Sequence, residues 1–385
     1  FSLPPGGGGS NKAPSPLVGE GWGGGEREKI SNLPVPSINE QDAMILVTGG
    51  AGFIGRHLVR LLLERGEAVR VLDLPTAPLE QLPLHRVELV LGDIRDKQAV
   101  KRAVHGCREV YHLAANPHLW VQQRGSFRQV NYVGAVHVID AALESGVQRV
   151  LHTSTESILT RAGQSEAIRE EQHVAYEDVI GPYCRSKYFA ERYALQLGRA
   201  GAPVVVVNPT LPIGPGDWGR SPPTQMLLDF CQGKRRAYVD AELNLIDVRD
   251  VAEGMVRAME RGRPGRRYLL GHENVSILTV FRLLARLTGL PGPRWRVPYP
   301  VALATAYVSE FIADVFTHRA PAATVTGVAL TRRCMHFDPS RSLAELELRP
   351  RPVTESLAET VAWFGKIGWL ERCPSPVSLQ SGIAS

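Results

Sequence analysis

The chain has 385 residues, 44% of them hydrophobic and 22% charged, a balance that excludes a disordered or fibrous chain and leaves room for more than one lobe. The net charge of +5 is modest, and the basic clusters at Lys234, Arg235 and Arg236 and at Arg261, Arg263, Arg266 and Arg267 have few aromatics between them, so they are expected on solvated surface rather than at a nucleic-acid face. Five cysteines without a CxxC pair and histidines without an HExxH motif give no support to a metal site and point to a reducing compartment, the cytoplasm.

Residues 1–43 are rich in glycine and proline and lack the charged-then-apolar pattern of a secretion signal, so a disordered tail ahead of a natural start at Met44 is expected. The stretch from Met44 to Asp73 reads MILVTGGAGFIGRHLVRLLLERGEAVRVLD. It sets out an apolar strand, glycines at Gly49, Gly52 and Gly55, a helix with apolar spacing through Leu58, Leu61 and Leu62, a second strand and a terminal acid. A pyrophosphate needs backbone N–H groups, the positive end of a helix dipole and no side chain in the way. Gly49 permits the sharp turn and Gly52 the close approach to phosphate, while Phe53 and Ile54 open the helix beside them and Gly55 lets it lie on the sheet. Asp73 is placed to accept hydrogen bonds from the adenosine ribose and to repel a 2′-phosphate, which selects NAD over NADP.

Val87 to Leu91 reads as a third strand leading into Gly92, Asp93 and Ile94, with Asp93 facing either the adenine edge or a turn cap. Val110 to Leu113 reads as a fourth, followed by Ala114 and Ala115, small enough for a cofactor to cross the sheet edge. Helical spacing runs from Phe127 to Glu144 around Asn131, and a fifth strand, Val147 to His152, delivers Thr153, Ser154 and Thr155. Tyr183 to Lys187, YCRSK, opens a helix towards Arg199, and the four-residue spacing puts Tyr183 and Lys187 on one face. Val204 to Val207 is a sixth strand, followed by Asn208 and Pro209.

From Gly214 the pattern shifts to shorter elements: helices near Thr224 to Cys231, Val251 to Met259 and Leu278 to Leu287, and a strand from Leu243 to Val248. Val301 to Phe316 is apolar but interrupted by Glu310 and Asp314 and too short for a transmembrane segment. A helix lining the pocket is expected there, with weak contact to a membrane surface as the alternative. Residues 371–385 read as a flexible tail.

Hydride transfer at a carbinol carbon requires a proton to leave or reach the same oxygen. A phenol can move it if its pKa is pulled from about 10 towards neutrality, the part expected of Tyr183 with the Lys187 ammonium beside it. Lys187 also reaches the nicotinamide ribose, and Thr155 would hold the substrate oxygen against Tyr183.

These pieces together resemble the extended short-chain dehydrogenases/reductases, the NAD-dependent epimerase/dehydratase group, from Met44 to about Leu370. The matching residues are TGGAGFIG, Asp73, GDI at Gly92 to Ile94, HLAA at His112 to Ala115, Asn131, TST at Thr153 to Thr155, YCRSK, and NPT at Asn208 to Thr210. Within the group, IGPYCRSK, VVVVNPTLPIGPGD and ALTRRCMHFD are similar to the hopanoid-associated sugar epimerase branch and its dihydroflavonol-4-reductase-like neighbours. The resemblance implies an NAD-dependent enzyme, cofactor contacts at the glycine loop, Asp73, Asp93, Ile94, Leu113, Ala114, Ala115, Asn131, Thr153, Tyr183, Lys187 and Pro209, and a homodimer joined through the helices at Phe127 and Tyr183. Relatives that use nucleotide sugars carry an arginine where this chain has Leu243, and dehydratases carry an aspartate–glutamate pair where it has Glu156 and Ser157. The expectation is therefore a doubly wound parallel α/β domain over residues 44–213 with a smaller C-terminal substrate lobe over 214–370 that shares some elements with it. Its expected reaction is oxidation or reduction of a lipid-like or polycyclic substrate. A nucleotide-sugar epimerase is the alternative, and a non-catalytic nucleotide sensor ranks third.

Overall fold

The computed structural model describes residues 44–370, so the expectations for the two tails, and Cys373, lie outside the described residues. Seven strands form one parallel sheet: β1 (Met44–Thr48), β2 (Val69–Asp73), β3 (Val87–Leu91), β4 (Cys107–His112), β5 (Arg149–Thr153), β6 (Val204–Pro209) and, arriving late in the chain, β10 (Arg267–Leu270). Their order across the sheet is β10-β6-β5-β4-β1-β2-β3, so the chain reverses direction between β1 and β4 and opens a crevice at their C-terminal ends.

Parallel strands are covered on both faces, so β1 is buried along its whole length. Ile45 and Val47 face one layer, α1 (Phe53–Glu64) and α6 (Val248–Arg261), through Leu58, Leu62, Val251 and Met255. Met44 and Leu46 face the other layer, formed by α2 (Lys97–Val104), α3 (Ala135–Glu144) and α4 (Gly181–Arg199). Before α3, the stretch Arg128–Gly134 is π-helical and contains Asn131.

Between β6 and α6 the chain builds part of a second layer of structure: β7 (Leu211–Ile213), α5 (Pro222–Cys231), β8 (Ala237–Tyr238) and β9 (Glu242–Asp247). After β10 it adds β11 (Glu273–Ser276), α7 (Ile277–Thr288), β12 (Trp295–Arg296), α8 (Tyr299–Ile312), α9 (Val325–Leu330), α10 (Ser340–Glu345) and α11 (Val353–Lys366). The sheet β11-β9-β7 shares a core with α5, α7 and α11, in which Phe230 stacks on Phe281 at 5.4 Å.

Two expectations are corrected here. The apolar stretch from Val301 to Phe316 does not line a pocket with its large side chains: α8 packs inward through Ala302, Ala306 and, in its π-helical extension Ala313–Thr317, Ala313, while Phe311 and Phe316 are 59% and 69% exposed. Apart from Glu310 and Asp314 the helix is apolar all round, so composition could not say which face the small alanines would dock. Arg267, expected on solvated surface, turns inward to pair with buried Glu191 at 2.7 Å.

Candidate active site

The glycine turn is shaped by steric necessity. Gly49 has φ of +73°, and a Cβ there would lie 2.8 Å from the backbone of Ala114, while a Cβ on Gly55 would lie 2.1 Å from the Gly49 carbonyl oxygen. Helix α1 starts after Gly52, which brings no side chain to cap its first N–H groups, and its first turn holds no acidic residue. An uncapped helix start of this kind fits a pyrophosphate.

Asp73, at the end of β2, accepts the Ala51 N–H and the Leu74 N–H, each at 2.8 Å, and burial raises its pKa. Arg56 lies against the same turn, donating to the Ala51 carbonyl at 2.6 Å, and burial lowers its pKa to about 10 against the opposing pull of Asp217, Glu80 and Asp73. Asp93 is engaged by Arg95: its Oδ1 accepts the Arg95 N–H at 2.8 Å, which is the turn-capping arrangement. Ile94 is buried, its side chain against Gly134 beside the π-helical stretch. Leu113, Ala114 and Ala115 follow directly after β4, and the Ala114 N–H donates to the Thr48 hydroxyl at 3.2 Å.

Thr155 sits just past β5 as the N-cap of a short 3-10 turn, Glu156–Leu159. Its hydroxyl donates to Glu156 Oε2 at 2.8 Å and lies 3.1 Å from Ser157 Oγ. Its carbonyl accepts from Asn208 Nδ2 at 3.0 Å, so β6 fixes the turn from below. Tyr183, in the first turn of α4, lies near enough to Thr155 for that hydroxyl to act against the rise of its pKa. Lys187, one further turn along α4 and 5% exposed, donates to the Thr153 carbonyl. Thr155, Tyr183 and Lys187 are thus gathered at the C-terminal end of β5, with Thr153 and Pro209 on the adjoining strand ends.

The electrostatics differ from expectation in one respect. Burial pushes the Tyr183 phenol above its ordinary value, and nearby Cys184 and Glu156 add to that. Lys187 is not among the groups that pull it down, because the ammonium is turned to the Thr153 carbonyl. Burial also lowers Lys187 to about 8, partly offset by Glu191, and raises fully buried Glu156 to about 7. His112 and His152 stand 5.4 Å apart in the core and are held neutral, by burial first and then by the Lys187 charge.

Asn131 closes the arrangement. Its Nδ2 donates to the Asn116 carbonyl at 3.1 Å and to Ser186 Oγ at 3.0 Å, tying the π-helical stretch to α4 between Tyr183 and Lys187. A π-turn changes the direction of one side chain without ending the helix, which is how Asn131 comes to point inward. Sequence reasoning missed Arg56 and Glu191, and it named Asn208 in the NPT match without giving it a role. Glu191 follows Lys187 by four residues on a helix, a spacing that could have signalled it.

The NAD dependent epimerase/dehydratase family model matches residues 45–271. A protein of Synechocystis sp. with the provisional name dihydroflavonol 4-reductase is 36% identical over 329 residues, covering 84% of this chain and 95% of that protein. Sterol demethylase protein B of Methylococcus capsulatus is 32% identical over 326 residues, covering 84% of this chain and 99% of that protein. Among solved structures, gox2253 superposes with a TM-score of 0.76 at 34% identity, covering 86% of this chain and 100% of its own. The NAD complex of Thermus thermophilus UDP-glucose 4-epimerase superposes with 0.67 at 25% identity, covering 84% and 99%.

Proposed function

The chain belongs to the NAD-dependent epimerase/dehydratase family and is an NAD-dependent enzyme of the extended short-chain dehydrogenase/reductase type, and we propose that it moves a hydride to or from a secondary alcohol or ketone of a lipid-like, polycyclic substrate. The observation that carries the substrate class is Leu243. It packs into the hydrophobic core of the second sheet, so an apolar side chain stands where nucleotide-sugar enzymes of the family carry a pyrophosphate-gripping arginine. The similarity to a sterol demethylase protein and to a sterol-4-alpha-carboxylate 3-dehydrogenase of Mus musculus supports the same reading.

The glycine turn from Gly49 to Gly55 would hold the pyrophosphate, Asp73 the adenosine ribose, and Lys187 the nicotinamide ribose. When bound, nicotinamide would accept the hydride of an alcohol in its oxidised, positively charged form and give a hydride to a ketone in its reduced form. Tyr183 then takes the proton from the substrate hydroxyl, or returns it to the ketone, and Thr155 hydrogen-bonds the same oxygen to fix its distance. Lys187, lowered by burial to about 8 and raised against it by Glu191, stays largely charged at neutral pH, and the positive charge of oxidised nicotinamide would favour the Tyr183 phenolate against its burial. Asp93, Ile94, Leu113, Ala114, Ala115, Asn131, Thr153 and Pro209 complete the cofactor wall.

A homodimer through the π-helical stretch and α4 is supported by the aromatics they leave partly exposed: Phe189 packs 5.9 Å from Tyr132 and 5.3 Å from Tyr176. The free state of Cys107, Cys184, Cys231 and Cys334 supports a cytoplasmic setting. To test the function, hydrophobic polycyclic ketones with NADH, and nucleotide sugars without added cofactor, are offered to the purified protein. Turnover of the former is expected. Stoichiometric retained NAD with epimerisation of a nucleotide sugar would replace this reading with the epimerase one.

A further inference from the structure

Helix α8 and its π-helical extension, Tyr299–Thr317, run beyond the apolar stretch that the sequence marked as too short to span, and this corrects that expectation: they are long and apolar enough to cross a membrane by length and composition, yet they lie on the surface of the protein. One stripe of this helix faces outward: Val301, Val308, Phe311, Ile312, Val315 and Phe316 are each at least 43% exposed. Their spacing follows the helical repeat, so they form one continuous apolar strip rather than scattered surface residues.

The carboxylates of the same helix point the other way. Glu310 accepts the Val325 N–H at 2.7 Å and pairs with Arg124 at 3.3 Å, and Asp314 accepts from the Trp120 indole at 3.0 Å and pairs with Arg124 at 2.9 Å. The outward strip is therefore free of carboxylates. Exposed Arg294 and Trp295 lie just before the helix and exposed Arg319 just after it, which puts positive charge at both ends of the strip and an interfacial aromatic, Trp295, 70% exposed, at one.

We propose that α8 docks the protein onto an anionic lipid bilayer, lying in the headgroup plane with Phe311 and Phe316 inserted and Arg294 and Arg319 among the phosphates. Lying flat rather than spanning follows from the two carboxylates: threading the helix through hydrocarbon would break their pairs with Arg124 and strand both charges. Helix α8 packs on α9, whose Thr326 abuts Gly181 two residues before Tyr183, and the Trp120 loop leads from β4 towards Asn131. A bilayer against α8 would thus lie on the side of the protein where α4 begins. The docking rests on exposure and charge and stands whether or not the proposed substrate class is correct.

The test is flotation of the full chain with vesicles of phosphatidylcholine containing phosphatidylserine, and with phosphatidylcholine alone. The intact protein is expected to float with the mixed vesicles, less with the neutral ones, and to be released by carbonate washing. The double variant Phe311→Ser/Phe316→Ser should reduce the bound fraction at least about tenfold with unchanged melting temperature and NAD affinity, and Arg294→Glu/Arg319→Glu should abolish the preference for phosphatidylserine. Absence of flotation, flotation indifferent to the double variant, or resistance to carbonate washing would each overturn the proposal. So would light scattering in which the double variant only converts a larger oligomer to a smaller one, since the strip would then cover a second copy of the chain.

Discussion

The Thr155 hydroxyl gives its hydrogen to Glu156 Oε2 across 2.8 Å, so the group proposed to hold the substrate oxygen is committed to its own neighbour whenever that neighbour is ionised. Burial raises Glu156 from 4.5 to about 7, which brings the exchange into the physiological range. Once Glu156 is protonated it can act as donor and leave the Thr155 hydrogen for the substrate.

Turnover, followed as kcat/KM, is therefore expected to increase as pH falls through about 7, and Glu156→Gln should flatten that part of the profile. Stability should show the same group. Its folded pKa is above its unfolded one, so its contribution is complete below about 4.5 and is lost as pH rises through about 7, and the glutamine variant should lack that slope in melting temperature. A slope that survives the substitution would assign it to another residue.

Tyr183→Phe should reduce turnover by about a hundredfold to ten-thousandfold while NAD affinity changes little, because only the proton-moving oxygen is lost. The ring keeps its edge-on contact with Phe127 at 6.2 Å, so the melting temperature should hold. Stopped-flow turnover and fluorescence titration of the cofactor measure the two separately.

Asp73 and Arg56 make a linked prediction about cofactor choice. Removing the carboxylate in Asp73→Ala removes a repulsion against a 2′-phosphate and leaves the Arg56 guanidinium with one fewer opposing charge. NADP affinity should rise relative to NAD by about tenfold or more, a change of about 1.4 kcal/mol. The double variant Asp73→Ala/Arg56→Ala should give most of that gain back. Titration of both cofactors against the three proteins would reveal a gain that persists without Arg56, which would rule out its part.

Glu191→Gln should move the alkaline limb of the rate profile to lower pH. Glu191 raises Lys187 against burial, so its loss lets the ammonium, already lowered to about 8, discharge sooner. The variant also leaves Arg267, 14% exposed at its side chain, without its carboxylate, and a loss of about 3–5 kcal/mol in chemical denaturation is expected. A stability loss with an unmoved alkaline limb would mean that Glu191 serves the fold alone.

The sheet and the glycine turn were legible because their chemistry leaves little choice. A Cβ on Gly55 would overlap the Gly49 carbonyl, and the Asp73 carboxylate at the end of β2 accepts the Ala51 N–H of the turn. Tyr183 and Lys187 were legible from helical spacing. The Glu191–Arg267 pair was not, since it joins α4 to a strand the chain reaches only after building part of the second lobe. The raised phenol was not either: a sequence shows which charges exist but not how much water is removed from them. The outward face of α8 failed for a third reason, that an all-round apolar helix carries no stripe to mark its inner side.

The late arrival of β10 has a consequence for synthesis. When residues 44–213 have left the ribosome, β6 is complete but its outer edge has no neighbour, and it stays bare until Arg267–Leu270 emerge. Even then the new edge needs Ser342, whose hydroxyl accepts the Leu269 N–H at 2.8 Å. A nascent chain stalled between these points exposes a wholly apolar strand, VVVV, with unpaired backbone, the kind of template on which other chains aggregate. A strand left bare during synthesis is thus buried along its whole length in the finished protein.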